Sequence, residues 1–245
     1  MITVQRVAKA AGKHLTRTAL KLRQALGARA SRGCPACGRT VVGFFRYGDN
    51  PEWGCPACGA SPRERLMNWL IGEGRLTVPV DGAVLHMAPN EGSLVRRFSA
   101  AADYVPADLD PARYTVPGMQ RVDLMKLADV DRYDLFYASH VMEHVPDDRA
   151  VLRNILRALK PGGEAWLIVP LWDKLTEDGS FAMPPRERER RFGQWDHVRQ
   201  YGPDFADRIR AAGFDLEEID AASIDPDLRH FYALDDRLFR ARKPR

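Results

Sequence analysis

Four cysteines in two identical knuckles, Cys34-Pro35-Ala36-Cys37-Gly38 and Cys55-Pro56-Ala57-Cys58-Gly59, speak most directly of chemistry. Two intervening residues let both thiolates of a knuckle face one ion, and the glycine that follows lets the backbone turn around sulfur. Four thiolates close a tetrahedral shell with no open position, so the pattern predicts a structural zinc ion, Zn2+. No cysteine is left over, and twin knuckles argue for metal in a reducing compartment rather than disulfides. Residues 33–61 are read as a zinc ribbon with Phe44, Phe45 and Trp53 as its small core. So short a segment buries too little surface to fold without its metal. Such a ribbon suits RNA, protein or no partner equally.

A second set of polar residues falls where apolar runs end. His86, Ala88, Pro89 and Asn90 follow Val84-Leu85; Asp108 and Asp110 close the next run; Asp123 and Leu124 follow Val122. Ser139 and His140 end the run Tyr133–Ala138. A carboxylate at such a place can accept two hydroxyls or an amino group. Histidine is the usual proton acceptor near neutral pH. His140 at the mouth and His197 in a charged segment are the candidate bases, whereas His14 lies in the basic arm. Gln194, Asp196, Arg199 and Tyr201 would offer donors and acceptors to a polar substrate, and Arg186–Arg191 reads as a solvated charged loop. His140-Val141-Met142-Glu143-His144 also matches the H-x-x-E-H pattern of inverted zinc peptidases. Pro146 argues against that reading, because a helix would have to run through the site.

The elements that must position these groups alternate. Strands are expected at 83–87, 103–107, 121–124, 133–138, 164–169, 214–219 and 238–242. Helices are expected at 2–26, 63–71, 91–101, 147–159 and 204–212. Ser61-Pro62-Arg63-Glu64 is a capping box with proline at the first helical position. Lys160-Pro161-Gly162-Gly163 should end a helix and turn the chain, and 171–202 reads as irregular. Strict alternation with short links means a parallel sheet with helices on both faces, and ligands beyond the carboxyl ends of its strands.

The order of these segments resembles the class I S-adenosylmethionine-dependent methyltransferases over residues 82–245. The resemblance is most specific at Tyr133–Pro146 and Leu159–Pro170, and Phe192–Arg199 is similar to a segment of a zinc-ribbon-bearing subgroup. It implies an α/β fold, a Rossmann-like, doubly wound, mostly parallel seven-stranded sheet, with S-adenosylmethionine as cofactor. It implies Asp108 at the ribose, Asp123 and Leu124 at the adenine, and His86, Ala88, Asn90 and Ser139 around the methionine end. It also places His144 at a position that packs structurally. The departure is the first loop, where the family carries an acid and a Gly-x-Gly run and this chain carries His86, Ala88, Pro89 and Asn90. A nicotinamide cofactor is disfavoured, since G-x-G-x-x-G is absent.

The chain has 245 residues and a net charge of +4, yet residues 1–33 hold eight Lys/Arg and no acid, which leaves the rest at −4. The expected organisation is a basic amphipathic helical arm over 1–32, the ribbon over 33–61 and the methyltransferase-like domain over 62–245. The arm reads as a surface helix packing one stripe on its own protein, with peripheral contact at the inner membrane face as the alternative. No run is long enough to span a bilayer, and a cytoplasmic enzyme is expected. The expected substrate is a hydroxyl or amine on a polar small molecule or glycan. RNA, gripped by ribbon and arm, is a rival acceptor, although the body is acidic and lacks basic runs interleaved with aromatics. A non-catalytic binding protein with a degenerate cofactor loop is the other rival.

Overall fold

The computed structural model describes residues 4–245, with side chains from Gly12 onward. The chain forms two compact units. The first comprises residues up to 77, 91–96 and 220–236; the second comprises 78–90, 97–219 and 237–245.

The first unit opens with helix α1 (Val4–Ala25), followed by two hairpins: β1 (Arg32–Cys34) with β2 (Arg39–Val41), and β3 (Phe45–Tyr47) with β4 (Asn50–Gly54). Cys34 and Cys37 flank the turn of the first hairpin, where Gly38 takes a positive φ of 69°, and Cys55 and Cys58 lie in the turn that follows β4. Phe44 and Phe45 are buried and Trp53 is half-buried against Tyr47. Helix α2 (Pro62–Gly72) starts at Ser61, whose hydroxyl accepts the Glu64 N–H. On α2, Arg65 is fully buried and donates to the carbonyls of Glu52, Trp53, Ala60, Tyr232 and Ala233. Its planar fork is thereby satisfied, tying the second hairpin and α2 to a helix over Pro226–Tyr232 that carried no sequence expectation. Among the described side chains of α1, long cations meet the ribbon. Arg17 donates to the Pro56 carbonyl and Lys13 lies over the Phe45 and Tyr47 rings, while Leu15, Leu22 and Leu26 are exposed.

The second unit is built on a seven-stranded sheet, as expected. The central strand is β5 (Ala83–Met87); helix α3 (Gly92–Phe98), which follows it in the chain, falls mostly in the first unit. On one side of β5 lie β6 (Asp103–Asp108) and the short edge strand β7 (Gln120–Arg121), all parallel. On the other lie β8 (Tyr133–Ser139) and β9 (Leu159–Ile168), also parallel. Residues 171–202 are more ordered than expected. The strands β10 (Glu177–Asp178) and β11 (Arg199–Gln200) pair, and Arg186–Arg191 is not a loop but part of a helix over Pro185–Phe192. Arg188 explains that order, since it is buried and donates to the Phe181 and Trp195 carbonyls. The sheet is completed by β12 (Asp215–Asp220) and β13 (Arg237–Arg242), the latter antiparallel to β9.

Buried Leu85, Phe136, Ala138 and Leu167 on the strands pack with Val151, Leu152 and Ile155 of the helix Asp148–Ala158, which Asp147 caps. The turn expected at Lys160–Gly163 is instead a bulge inside β9, whose register against β8 slips between Tyr133 and Leu135. Gly163 is needed there, because a Cβ would lie 2.9 Å from the Lys160 carbonyl and 3.0 Å from that of Tyr133. The strand expected at 121–124 ends at Arg121, because Asp123 caps a short 3-10 turn over Leu124–Lys126.

Candidate active site

The parallel strands β5, β6, β7 and β8 all end on one edge of the sheet, and a cleft of about 360 Å³ opens there. Ala88 and Asn90 follow β5, Asp108 ends β6, Asp123 and Leu124 follow β7, and His140 follows β8; all line the cleft. Gln194 and Asp196 close it from the segment after the Pro185–Phe192 helix. The volume suits a small-molecule ligand, and the position is the one at which open α/β sheets bind them.

Two wall residues hold left-handed backbone without being glycine: Ala88 at φ 49° and His140 at φ 56°. Such a conformation costs on the order of 1 kcal/mol and gathers at functional sites. At Ala88 it turns the chain tightly, with the Asn90 N–H donating to the Ala88 carbonyl at 2.7 Å and the Ala88 N–H to the Ala107 carbonyl at 2.8 Å. The absent Gly-x-Gly run is thus replaced by an alanine small enough to take a glycine's conformation.

Asp108 is held from both sides. Its Oδ1 accepts the Asp110 N–H at 2.8 Å and its Oδ2 accepts the Tyr114 hydroxyl at 2.8 Å. Each oxygen keeps a second lone pair, so the carboxylate is oriented without being used up. Tyr114 lines the cleft, and burial followed by the Asp108 carboxylate pushes its phenol well above the usual range, so it remains a donor. No sequence motif marks Tyr114; its only signal is a place six residues past the strand-end acid. Asp123 accepts the Met125 N–H at 3.0 Å, which turns Leu124 into the cleft.

Other expected site residues lie off the cleft wall. His86 points into the sheet's packing, with Nδ1 3.0 Å from the Tyr104 hydroxyl and its ring edge-on to Phe98 and Tyr137. Burial pulls its pKa down to about 3, so it is a neutral core residue and not a stand-in for the family's acid. The strand's alternation causes this, since it turns position 86 inward. Ser139 is buried behind the wall.

Arg199 and Tyr201, expected to touch substrate, are buried in an internal network instead. Arg199 donates to the carbonyls of Met142 (3.0 Å), Val145 (2.6 Å) and Pro146 (3.0 Å), and to Asp178 (3.1 Å). Tyr201 donates to Asp148 at 2.9 Å, which also takes Arg208 at 2.9 Å. These residues hold the loop that carries His140 to Pro146. His197 is also buried; its Nδ1 lies 2.9 Å from the Phe192 carbonyl, and burial lowers its pKa.

The loop after β8 holds Glu143, which is fully buried. Burial pushes its carboxyl up, but the His140 and His144 imidazoles outweigh that and keep it below the usual range. Residues Met142–His144 form a single 3-10 turn and His140 is left-handed, so the long helix of an H-x-x-E-H peptidase does not form.

In the first unit the four cysteine sulfurs gather within 4.8 Å of one another. The Sγ atoms of Cys34 and Cys58 are 3.7 Å apart, and those of Cys37 and Cys55 are 4.0 Å apart. A tetrahedron with metal–sulfur bonds of about 2.3 Å has edges of about 3.8 Å, so the donor set fits a zinc ion.

A family model described as a methyltransferase domain matches residues 52–219, more than half of the chain, and the chain belongs to that family. No curated protein matches it. Among solved structures it is similar to the [4+2]-cyclase SpnF, at 16% identity and a TM-score of 0.54, covering 96% of each chain. It is also similar to a chain of the Haloferax volcanii complex built with the methyltransferase activator Trm112, at 16% identity and a TM-score of 0.51, covering 74% of this chain and 94% of that one. A third is the YcgJ protein of Bacillus subtilis, at 12% identity and a TM-score of 0.50, covering 71% and 97%. At these identities the likeness is one of fold: a Rossmann-like methyltransferase fold.

Proposed function

We propose that the protein is an S-adenosylmethionine-dependent methyltransferase acting on a hydroxyl or amine of a polar small molecule or glycan. The observation that carries this reading is the oriented Asp108 carboxylate at the end of β6, in one cleft with Asp123 and the left-handed Ala88 turn. Asp108 would accept the ribose hydroxyls, with Tyr114 fixing its orientation. Asp123 would take the adenine amino group, and Leu124 would lie against the ring. Ala88 and Asn90 would bring backbone close to the methionine end. When bound, S-adenosylmethionine supplies a methyl carbon on a sulfonium, whose bond pair stays on sulfur as the acceptor attacks.

The chain's own task is to align the acceptor and take its proton. His140 lines the cleft and suits the base; His197 lies too deep to reach an acceptor directly. Gln194 and Asp196 face the cleft and would bind a polar acceptor. Cys34, Cys37, Cys55 and Cys58 would hold one structural Zn2+ and contribute no chemistry to the cleft. No helix among the described residues is long and apolar enough to cross a membrane.

The test is transfer of labelled methyl from S-adenosylmethionine to a panel of polar hydroxyl and amine compounds, glycans and RNA. Label in a small-molecule or glycan fraction, lost in His140→Ala, supports the reading. Label in RNA alone would move the protein to the rival acceptor class.

A further inference from the structure

Glu143 is 0% exposed, and neither of its carboxylate oxygens has a hydrogen bond. His140 Nδ1 stands 3.3 Å from Oε1, and His197 Nε2 stands 4.0 Å from the same oxygen. The His144 ring meets the His197 ring edge-on, with centroids 4.7 Å apart. One donor atom from each of Glu143, His144 and His197 lies within 4.8 Å of the other two.

His197 is 3% exposed. The carbonyl beside its Nδ1 can only accept, so Nδ1 carries the proton and Nε2 presents a bare lone pair. That lone pair has no partner. Two buried electron-rich atoms therefore face each other, an arrangement that is costly without a cation between them. A span of 4.0 Å is within reach of two metal–ligand bonds of about 2.1 Å each. An imidazole that donates its second nitrogen to a backbone carbonyl is also the usual form of a metal-bound histidine.

We propose that Glu143, His144 and His197 bind one divalent cation at the cleft edge, and that this cation selects a hydroxyl as the methyl acceptor. The second half rests on the methyl-transfer reading above. His144 lines the cleft together with His140 and Asp196. Two imidazoles and one carboxylate leave coordination positions open, and on the cleft side an acceptor oxygen can take one. A hydroxyl beside a divalent cation gives up its proton far more readily than in water, and His140 is placed to receive it. An amine would gain nothing comparable, because its lone pair would be tied to the metal. This second metal site is chemically distinct from the cysteine cluster: nitrogen and oxygen donors, open, and adjacent to the cleft.

The experiment uses the full chain with zinc in the cysteine site, dialysed against chelator, and Mn2+ as the probe. Free Mn2+ is read by electron paramagnetic resonance, and S-adenosylhomocysteine is titrated in parallel. The expected result is one Mn2+ per chain, with at least tenfold weaker binding in Glu143→Gln and in His144→Gln. His144 is only half-buried, so its variant tests the site even if Glu143→Gln misfolds. Folding of each variant is checked by its melting curve. A chain that binds S-adenosylhomocysteine but neither Mn2+ nor Co2+ overturns the inference, and the methyl-transfer reading stands. Mn2+ binding that both variants leave intact also overturns it. Mn2+ bound at the site without any S-adenosylhomocysteine binding keeps the cation site and removes its role in methyl transfer.

Discussion

Arg199→Met separates a scaffold role from a substrate role at a residue whose type and neighbourhood suggest the latter. The substitution keeps a long apolar stem and removes the guanidinium. Three carbonyls lose the guanidinium as donor: Val145 and Pro146, and Met142, which keeps the Tyr201 hydroxyl at 3.2 Å; all lie on the loop that carries His140 and Glu143. Asp148, 2% exposed, also loses a cation 3.8 Å away, although Arg208 and Tyr201 still bind it. An orphaned buried polar group costs about 1–3 kcal/mol, and breaking a buried charge network costs about 3–5 kcal/mol. The three carbonyls sit on one short loop that relaxes as a unit, so the losses do not add, and about 3–5 kcal/mol is expected. For a chain of this size each kcal/mol moves Tm by roughly 2–4 °C, so the melting point should fall by about 6–20 °C. The assay is thermal unfolding by circular dichroism, with S-adenosylhomocysteine titrated well below the transition. Affinity of the molecules that remain folded should change by less than about fivefold, because Arg199 is absent from the cleft wall. A variant that melts within about 2 °C of the parent, yet loses much more than about fivefold in S-adenosylhomocysteine affinity, would contradict a scaffold role for Arg199.

Other consequences are as direct. His86 is neutral in the fold with a pKa of about 3, against an ordinary value of 6.5, so its share of stability is complete above pH 6.5 and is lost as pH falls below it. Between pH 7 and pH 5 that share is about 2 kcal/mol, and His86→Asn should flatten the pH dependence of Tm by the corresponding amount; an unchanged slope contradicts it. Purified protein should carry one zinc per chain by elemental analysis, and Cys55→Ser should abolish it and expose the first unit to protease; full zinc in that variant would remove the cysteine site. Tyr114→Phe leaves Asp108 without its hydroxyl donor and should weaken S-adenosylhomocysteine by roughly fivefold, about 1 kcal/mol, with Tm nearly unchanged; unaltered affinity would detach Tyr114 from the site.

Much of the fold was legible because local and global signals agree. Apolar runs at 83–87 and 133–138 flanked by polar strand ends mark the central strands, and Ser61-Pro62 marks the start of α2. Asp108 was legible as the end of an apolar run, whereas Asp123 was picked out by the family resemblance, since its strand stops at Arg121, earlier than expected. The exceptions have physical causes. His86 looked available because it sits near a strand end, but a one-residue step in a strand exchanges cleft for core. Arg199 and Tyr201 look like ligand-binding residues in a charged segment, and only tertiary contacts show that Asp148 and three carbonyls use them. The helix over Pro185–Phe192 was hidden because it buries only Arg188 and Phe192 and is otherwise held by polar contacts such as Arg191 with Glu177, so no apolar stripe marks it. Glu143 and its histidines were visible as a motif, but their convergence with His197, more than fifty residues on, is a property of the fold.

The most direct test of the central claim is calorimetric titration of S-adenosylhomocysteine into the intact chain and into Asp108→Ala. One saturable site per chain is expected, weakened at least tenfold by a substitution that removes the carboxylate proposed to accept two ribose hydroxyls, worth about 1.5–3 kcal/mol. A correctly folded, zinc-bearing chain that takes up no ligand, or an Asp108→Ala variant that binds as well as the parent, would contradict it.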